Sequence, residues 1–216
     1  MSTKHVAYSV TNARARKTAV DLSELISAQR DDTTKNSFTE RNQGRILEYY
    51  LVGEINEPSE YVEWFDQIRH AAPNDLIKIY INSPGGDLFT AIQFMRVLRE
   101  CQGSVIASIE GCCCSAATIV FLGCDNYEIS AHSNFMFHNY SGVAVGKGGE
   151  MKDQLAFEAK WSEHLMRDVY VDFLTEQAIC AMLDGKDIWM NAQQVVDRLN
   201  LRTEKRKNAE ADKPKS

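Results

Sequence analysis

Twice in succession, a short run of β-forming residues ends in a glycine-bearing turn and gives way to an apolar segment at helical spacing. Residues 76–81 (LIKIYI) run into Asn82-Ser83-Pro84-Gly85-Gly86, after which Leu88, Ala91, Ile92, Met95 and Leu98 share one helix face. Residues 104–109 then lead through Gly111 to Ser115 and the apolar run 116–122. Two antiparallel strands need only a tight turn. A strand that leads into a helix and then a further strand predicts repeated β-α-β units, an α/β fold. A chain of 216 residues holds one such core comfortably.

The flanking segments follow the same logic. Residues 45–52 (RILEYYLV) read as the first core strand. Pro58, Ser59 and Glu60 suit a helix start, with Tyr61, Trp64, Phe65 and Ile68 at helical spacing behind them. Residues 127–130 and 134–137 read as two short strands. The glycine-rich stretch 142–149 precedes an amphipathic helix over about residues 150–173. Shorter helices are expected over 177–183 and 191–199. Residues 1–44 form a polar N-terminal segment with one possible short helix over 19–28, and 201–216 read as a charged, disordered tail. No internal repeat stands out.

Charge and composition remove several function classes. The net charge of -6 offers no basic face for nucleic acid. No apolar run approaches the ~20 residues of a membrane span, and the N-terminal residues lack the apolar stretch of a signal peptide, so a cytoplasmic location is the expectation. The six cysteines, including the run Cys112-Cys113-Cys114, contain no CxxC pair. Neighbouring side chains diverge in either helix or strand, so the run cannot close on one metal ion and reads as reduced, mostly buried packing residues.

Four features can carry chemistry, and each has a plain structural alternative. Gly85-Gly86, between a strand and a helix, can leave backbone N–H groups free to bind an oxyanion, or can simply be a turn; the GxxxxGK[ST] spacing of a phosphate loop is absent. Ser115, opening an apolar helix, is an N-cap or a nucleophile with the Ala116 N–H beside it. It is not the GxSxG elbow, because Ala116 and Ala117 follow it. His138 closes a strand before a glycine-rich loop, a context that His5, His70, His132 and His164 lack. Asp187 stands between Gly185-Lys186 and the apolar Ile188-Trp189-Met190, where an acid is locally unexpected unless it is an N-cap or a solvated turn residue.

Their order is more informative than any one of them. The stretch INSPGG (81–86), G-x-x-x-S ending at Ser115, M-x-H ending at His138, and D-x-[aromatic]-[Leu/Met]-x-A starting at Asp187 together resemble the Clp protease proteolytic subunit over residues 45–200. The resemblance implies a ClpP/crotonase-like fold with a protruding handle helix within about 142–180; residues 1–44, which look unlike the family's usual axial loop, read as partly disordered or axial. It implies a serine endopeptidase with Ser115 as nucleophile, His138 as base and Asp187 as orienter. Backbone N–H groups of Gly86 and Ala116 would form the oxyanion hole. Extended substrate would lie along the segments holding Gly85 and Gly142. It further implies unfolded polypeptide or peptide substrates, a homo-oligomer of two stacked seven-membered rings, and no cofactor or metal. ATP would be spent by a separate AAA+ unfoldase. The helix stripe Leu155, Trp161, Leu165 and Val169 would supply apolar surface for the contact between rings, although an ordinary core-facing helix would show the same stripe. Three other readings share parts of this pattern: a capsid maturation peptidase of the same fold, a catalytically silent assembly subunit, and an acyl-CoA hydratase or isomerase. The chain departs from the family pattern at Asn139-Tyr140, at Gly185-Lys186 and, on the surface where the unfoldase docks, at Lys78 and Glu100.

Overall fold

The structure, a computed structural model, describes residues 7–11 and 44–211. Strand β3 (Leu76–Gly86) sets the pattern of the sheet: Ile77, Ile79 and Ile81 are fully buried, while Leu76, Lys78 and Tyr80 turn outward. It lies between β2 (Ile46–Ile55) and β4 (Ser104–Cys114), parallel to both. β5 (Asn126–Ser130) adds parallel to β4, and β1 (Ala7–Thr11) closes that edge antiparallel to β5, giving the order β1-β5-β4-β3-β2. The expected short helix over 19–28 lies outside the described residues. The strand β1 had no counterpart in the sequence reading, since AYSVT sits alone in a polar segment.

On its edge away from β3, β4 serves two neighbours in turn. Ile106–Ile109 pairs with β5, whereas Cys112–Cys114 pairs in parallel with β6 (Asn134–Phe137), which in turn pairs antiparallel with β7 (Ile188–Asn191). The sheet divides around Gly111, where the β3–β4 register shifts between Ile81 and Ser83. There the Asn82 side chain replaces a ladder bond, its Oδ1 accepting from Cys112 N at 3.0 Å. A Cβ on Gly111 would sit 2.7 Å from that oxygen, so any side chain there would push the Asn82 amide off this bond. The sequence reading ended both strands too early. It took Gly111 and the NSPGG run as turns, whereas β3 reaches Gly86 and β4 reaches Cys114.

Helices cover the sheet. After a single 3-10 turn over Pro58–Tyr61 come α1 (Val62–Arg69) and α2 (Leu88–Glu100), the latter capped by Asp87, whose side chain accepts from Thr90 N at 2.7 Å. Tyr61, Trp64, Phe65 and Phe94 knit them together, Phe65 meeting Phe94 edge-on at 4.8 Å. α3 (Ala116–Gly123) is buried along its whole length, as its sequence, apolar but for Thr118, requires. The long α4 (Gly148–Tyr170) and the short α5 (Glu176–Leu183) follow.

The last helix corrects the sequence reading most. α6 runs over Ala192–Ala211, well beyond the expected end at 199, so the residues just after Arg202 are helix and not a disordered tail. Arg202 is only 3% exposed; it donates to Tyr127 Oη at 3.1 Å and to the Leu122 carbonyl at 3.2 Å. Arg206 reaches Asp172 at 3.2 Å. An arginine fills the inward position where an apolar residue would have announced a helix.

One buried carboxylate pins the start of β2. Asp75 accepts from Arg45 N and Ala72 N at 2.8 and 2.9 Å and from the Arg45 guanidinium at 2.6 Å. The guanidinium, helped by those N–H groups, holds its carboxyl down at about 2. Asp75→Ala is expected to cost about 2–4 kcal/mol, chiefly by orphaning two backbone donors; the exposed guanidinium adds little. Because the folded pKa is depressed, this stabilisation is full above the unfolded value of about 4 and fades as pH falls through about 2. Urea melts of parent and variant between pH 6 and 2 check it: the gap between them should narrow only below about pH 4.

Candidate active site

Ser115 joins β4 to α3 at φ 54° and ψ −129°, the one positive-φ residue other than glycine among the described residues. Such a backbone costs about 1–3 kcal/mol and persists only where its surroundings enforce it. Here the Ser115 N–H donates to the Met136 carbonyl at 2.8 Å, and its carbonyl accepts from Thr118 N at 2.9 Å and Thr118 Oγ1 at 2.7 Å. The side chain makes no capping bond. Its Oγ instead lies 2.5 Å from His138 Nε2, which excludes the plain N-cap reading.

The same strand sets both partners. β6 clamps Ser115 through Met136, and two residues later it delivers His138 to the same side. Phe135 and Phe137, on the other side, are fully buried and anchor the strand. Antiparallel pairing of β6 with β7 aligns Phe137 with Ile188, and one step further puts His138 opposite Asp187. Asp187 Oδ1 stands 3.9 Å from His138 Nδ1, close enough for charge interaction and about 1 Å longer than a hydrogen bond. Catalytic hydrogen bonds are often long in the absence of substrate. The Asp187 side chain is half exposed, so closing that distance needs no repacking of the core.

Gly85 and Gly86 fit closely around this centre. At Gly85 (φ 105°) a Cβ would come within 2.6 Å of Ser115 Cβ, and at Gly86 (φ 144°) within 2.3 Å of the Ile55 carbonyl oxygen. Gly85 N donates to the buried Ser83 hydroxyl at 3.1 Å. Gly86, Ala116 and Gly142 line a cleft of about 520 Å³ together with Ser115 and His138, while Gly85 packs behind the serine.

The cleft walls were not foreseen. Phe89 stacks on Trp161 at 5.8 Å and Tyr140 meets Trp161 edge-on, so Trp161 serves the cleft. Val169 is buried and Leu165 packs partly on the core; of the expected interface stripe, Leu155 is the exposed member. A helical stripe alone does not say which neighbour it meets. Cys112, Cys113 and Cys114 lie on β4, and burial pushes the Cys113 thiol well up. Among the described residues no helix is long and apolar enough to cross a membrane, and no three His, Cys, Asp or Glu side chains gather as a metal site.

A model of the Clp protease family matches residues 42–198, a span that contains Ser115, His138 and Asp187. The chain belongs to the Clp protease family. Among solved structures it is similar to a point mutant of ClpP1 from Listeria monocytogenes, with a TM-score of 0.59 and 18% identity, covering 70% of this chain and 86% of that one. The curated proteins contain no match to the sequence. The curled, mostly parallel sheet and its helices are thus the ClpP fold, and family membership makes the chain a ClpP-type peptidase.

Proposed function

We propose that the chain is a serine endopeptidase of the ATP-dependent Clp type, cutting unfolded polypeptide inside an oligomeric chamber in the cytoplasm. The observation that carries this reading is the 2.5 Å approach of Ser115 Oγ to His138 Nε2, at a strained serine facing a cleft. Ser115 Oγ attacks the scissile carbonyl carbon as its proton passes to Nε2. Backbone N–H groups of Gly86 and Ala116 bind the oxyanion, a contribution of about 10²–10³ in rate per donor. His138 then protonates the leaving amine, and a water repeats the sequence on the acyl-enzyme, with its proton taken by Nε2 and returned to Ser115. Asp187 holds the imidazole tautomer and steadies the imidazolium. Substrate runs extended past Gly86 and Gly142, with Gly85 giving room for the serine. None of these steps uses a metal or organic cofactor.

The chamber is a homo-oligomer of two stacked seven-membered rings, served by an AAA+ unfoldase that spends the ATP. Folded substrates must first be opened against about 5–15 kcal/mol of stability, which hydrolysis at Ser115 cannot supply. On the outer sheet face Lys78 pairs with Glu128 at 2.9 Å, a charged pair where family members present apolar docking pockets, while Tyr80, whose Oη donates to Glu48 at 2.7 Å, keeps one of the family's aromatics. Purified chain should therefore form particles many times its 24.4 kDa mass and cleave short peptides unaided, yet leave a stably folded protein intact. Light scattering and paired degradation assays check this. A 24.4 kDa species alone, or rapid ATP-independent loss of the folded protein, contradicts the chamber.

A further inference from the structure

Beneath the Ser115–His138 contact lies an enclosed chain of hydroxyls. Tyr170 Oη, in the last turn of α4, is 2.7 Å from Thr118 Oγ1, and Thr118 Oγ1 is 2.7 Å from the Ser115 carbonyl oxygen. Both side chains are shut away, Thr118 at 0% and Tyr170 at 1% exposure. A threonine hydroxyl carries one proton. Given to the carbonyl, which has none to offer, it leaves only lone pairs toward Tyr170, so the phenol donates. The direction is fixed: Tyr170 O–H to Thr118, and Thr118 O–H to Ser115 C=O. Burial raises the Tyr170 pKa, so the phenol keeps its proton.

Packing alone does not ask for this chain. Thr118 is the polar side chain in an otherwise apolar α3; valine has its shape and phenylalanine nearly that of Tyr170, each without the hydroxyl. What the hydroxyls add is a grip on the carbonyl of the one described non-glycine residue with positive φ. Tyr170 is itself braced by Phe137, which meets it edge-on at 5.8 Å and directly precedes His138. The same aromatic pair thus sits against both the serine's anchor and the histidine's strand.

We propose that Thr118 and Tyr170 are positioning residues that hold the Ser115 backbone in its left-handed geometry, so that Oγ meets His138 and the Ala116 N–H faces the cleft. They tie the long helix α4 to the nucleophile. The inference rests on the reading of Ser115 as nucleophile. Loss of the hydroxyl chain lets Ser115 relax, and a displacement near 1 Å at a reacting atom costs about 10²-fold. The Thr118 N–H still bonds the Ser115 carbonyl at 2.9 Å, so the start of α3 survives.

The test compares the parent with Thr118→Val, Thr118→Ser, Tyr170→Phe and the Thr118→Val/Tyr170→Phe double variant. It reads the rate of Ser115 phosphonylation by a fluorophosphonate, peptide kcat and KM, and melting temperature. Thr118→Val should lower phosphonylation and kcat by about 10- to 100-fold with KM within about two-fold. Thr118→Ser, which keeps the hydroxyl, should stay within about three-fold of the parent, and Tyr170→Phe should lose about ten-fold. The double variant should be no slower than Thr118→Val, because both act through one chain. Equal rates in parent and Thr118→Val overturn the proposal, as does Thr118→Ser impaired as badly as Thr118→Val. Should Thr118→Val not fold, Tyr170→Phe decides: parent melting with a reduced rate supports it, and a parent rate overturns it. A parent that takes no phosphonate at Ser115 overturns the nucleophile reading, and this inference with it.

Discussion

Replacing Ser115 by alanine is expected to abolish peptide hydrolysis, a fall of about 10⁶ in kcat, while leaving the fold unchanged. The size of the effect follows from the chemistry: without Oγ there is no atom to form the acyl intermediate, and the oxyanion donors alone leave little turnover. The unchanged fold follows from the geometry. Ser115 Oγ bonds His138 and caps nothing, while the backbone is held by Met136 and Thr118 through its own N–H and carbonyl. The melting temperature should therefore move by no more than the loss of one hydrogen bond, about 1 kcal/mol. Peptide turnover and thermal melting of the purified variant are the check. Hydrolysis retained by Ser115→Ala removes the serine from the mechanism.

Asp187→Asn should be nearly as damaging, with kcat lowered by about 10³–10⁴ and assembly intact. The β6–β7 register puts residue 187 opposite His138, with Oδ1 3.9 Å from Nδ1. A carboxylate there favours a proton on Nδ1, leaving Nε2 free to accept from Ser115. An amide can offer its NH₂ to Nδ1 instead, which leaves the proton on Nε2, where it blocks the transfer. The side chain is half exposed, so the substitution has little to disturb in the core. Steady-state kinetics of parent and variant measure the effect. A kcat within a few-fold of the parent makes Asp187 a turn residue and assigns the orienting role elsewhere.

The α/β class was legible because the strands that matter are buried and β-branched, as in LIKIYI, and strands alternate with apolar segments at helical spacing. Ser115, His138 and Asp187 were legible as an ordered set, through resemblance to a family rather than through spacing. The residues that hold them were not. Met136 acts through its carbonyl, and a carbonyl leaves no trace in a sequence. Thr118 and Tyr170 are 52 residues apart and meet only in the folded chain. Asn82 read as part of a turn because its role, replacing a ladder bond to Cys112, exists only where two parallel strands lose register. α6 was cut short because the inward position that steers its course is filled by Arg202, whose guanidinium donates to a buried tyrosine and a carbonyl. In each case the missing signal is a long-range polar contact, for which local periodicity has no counterpart.

The central claim, that Ser115 is an activated nucleophile, is tested most directly by reacting the native particle with a fluorophosphonate and locating the adduct by peptide mass spectrometry. The account predicts a single adduct on Ser115, formed by the parent, lost in Ser115→Ala and strongly slowed in Asp187→Asn. An adduct on another residue, or none under conditions where the parent cleaves peptide, contradicts it.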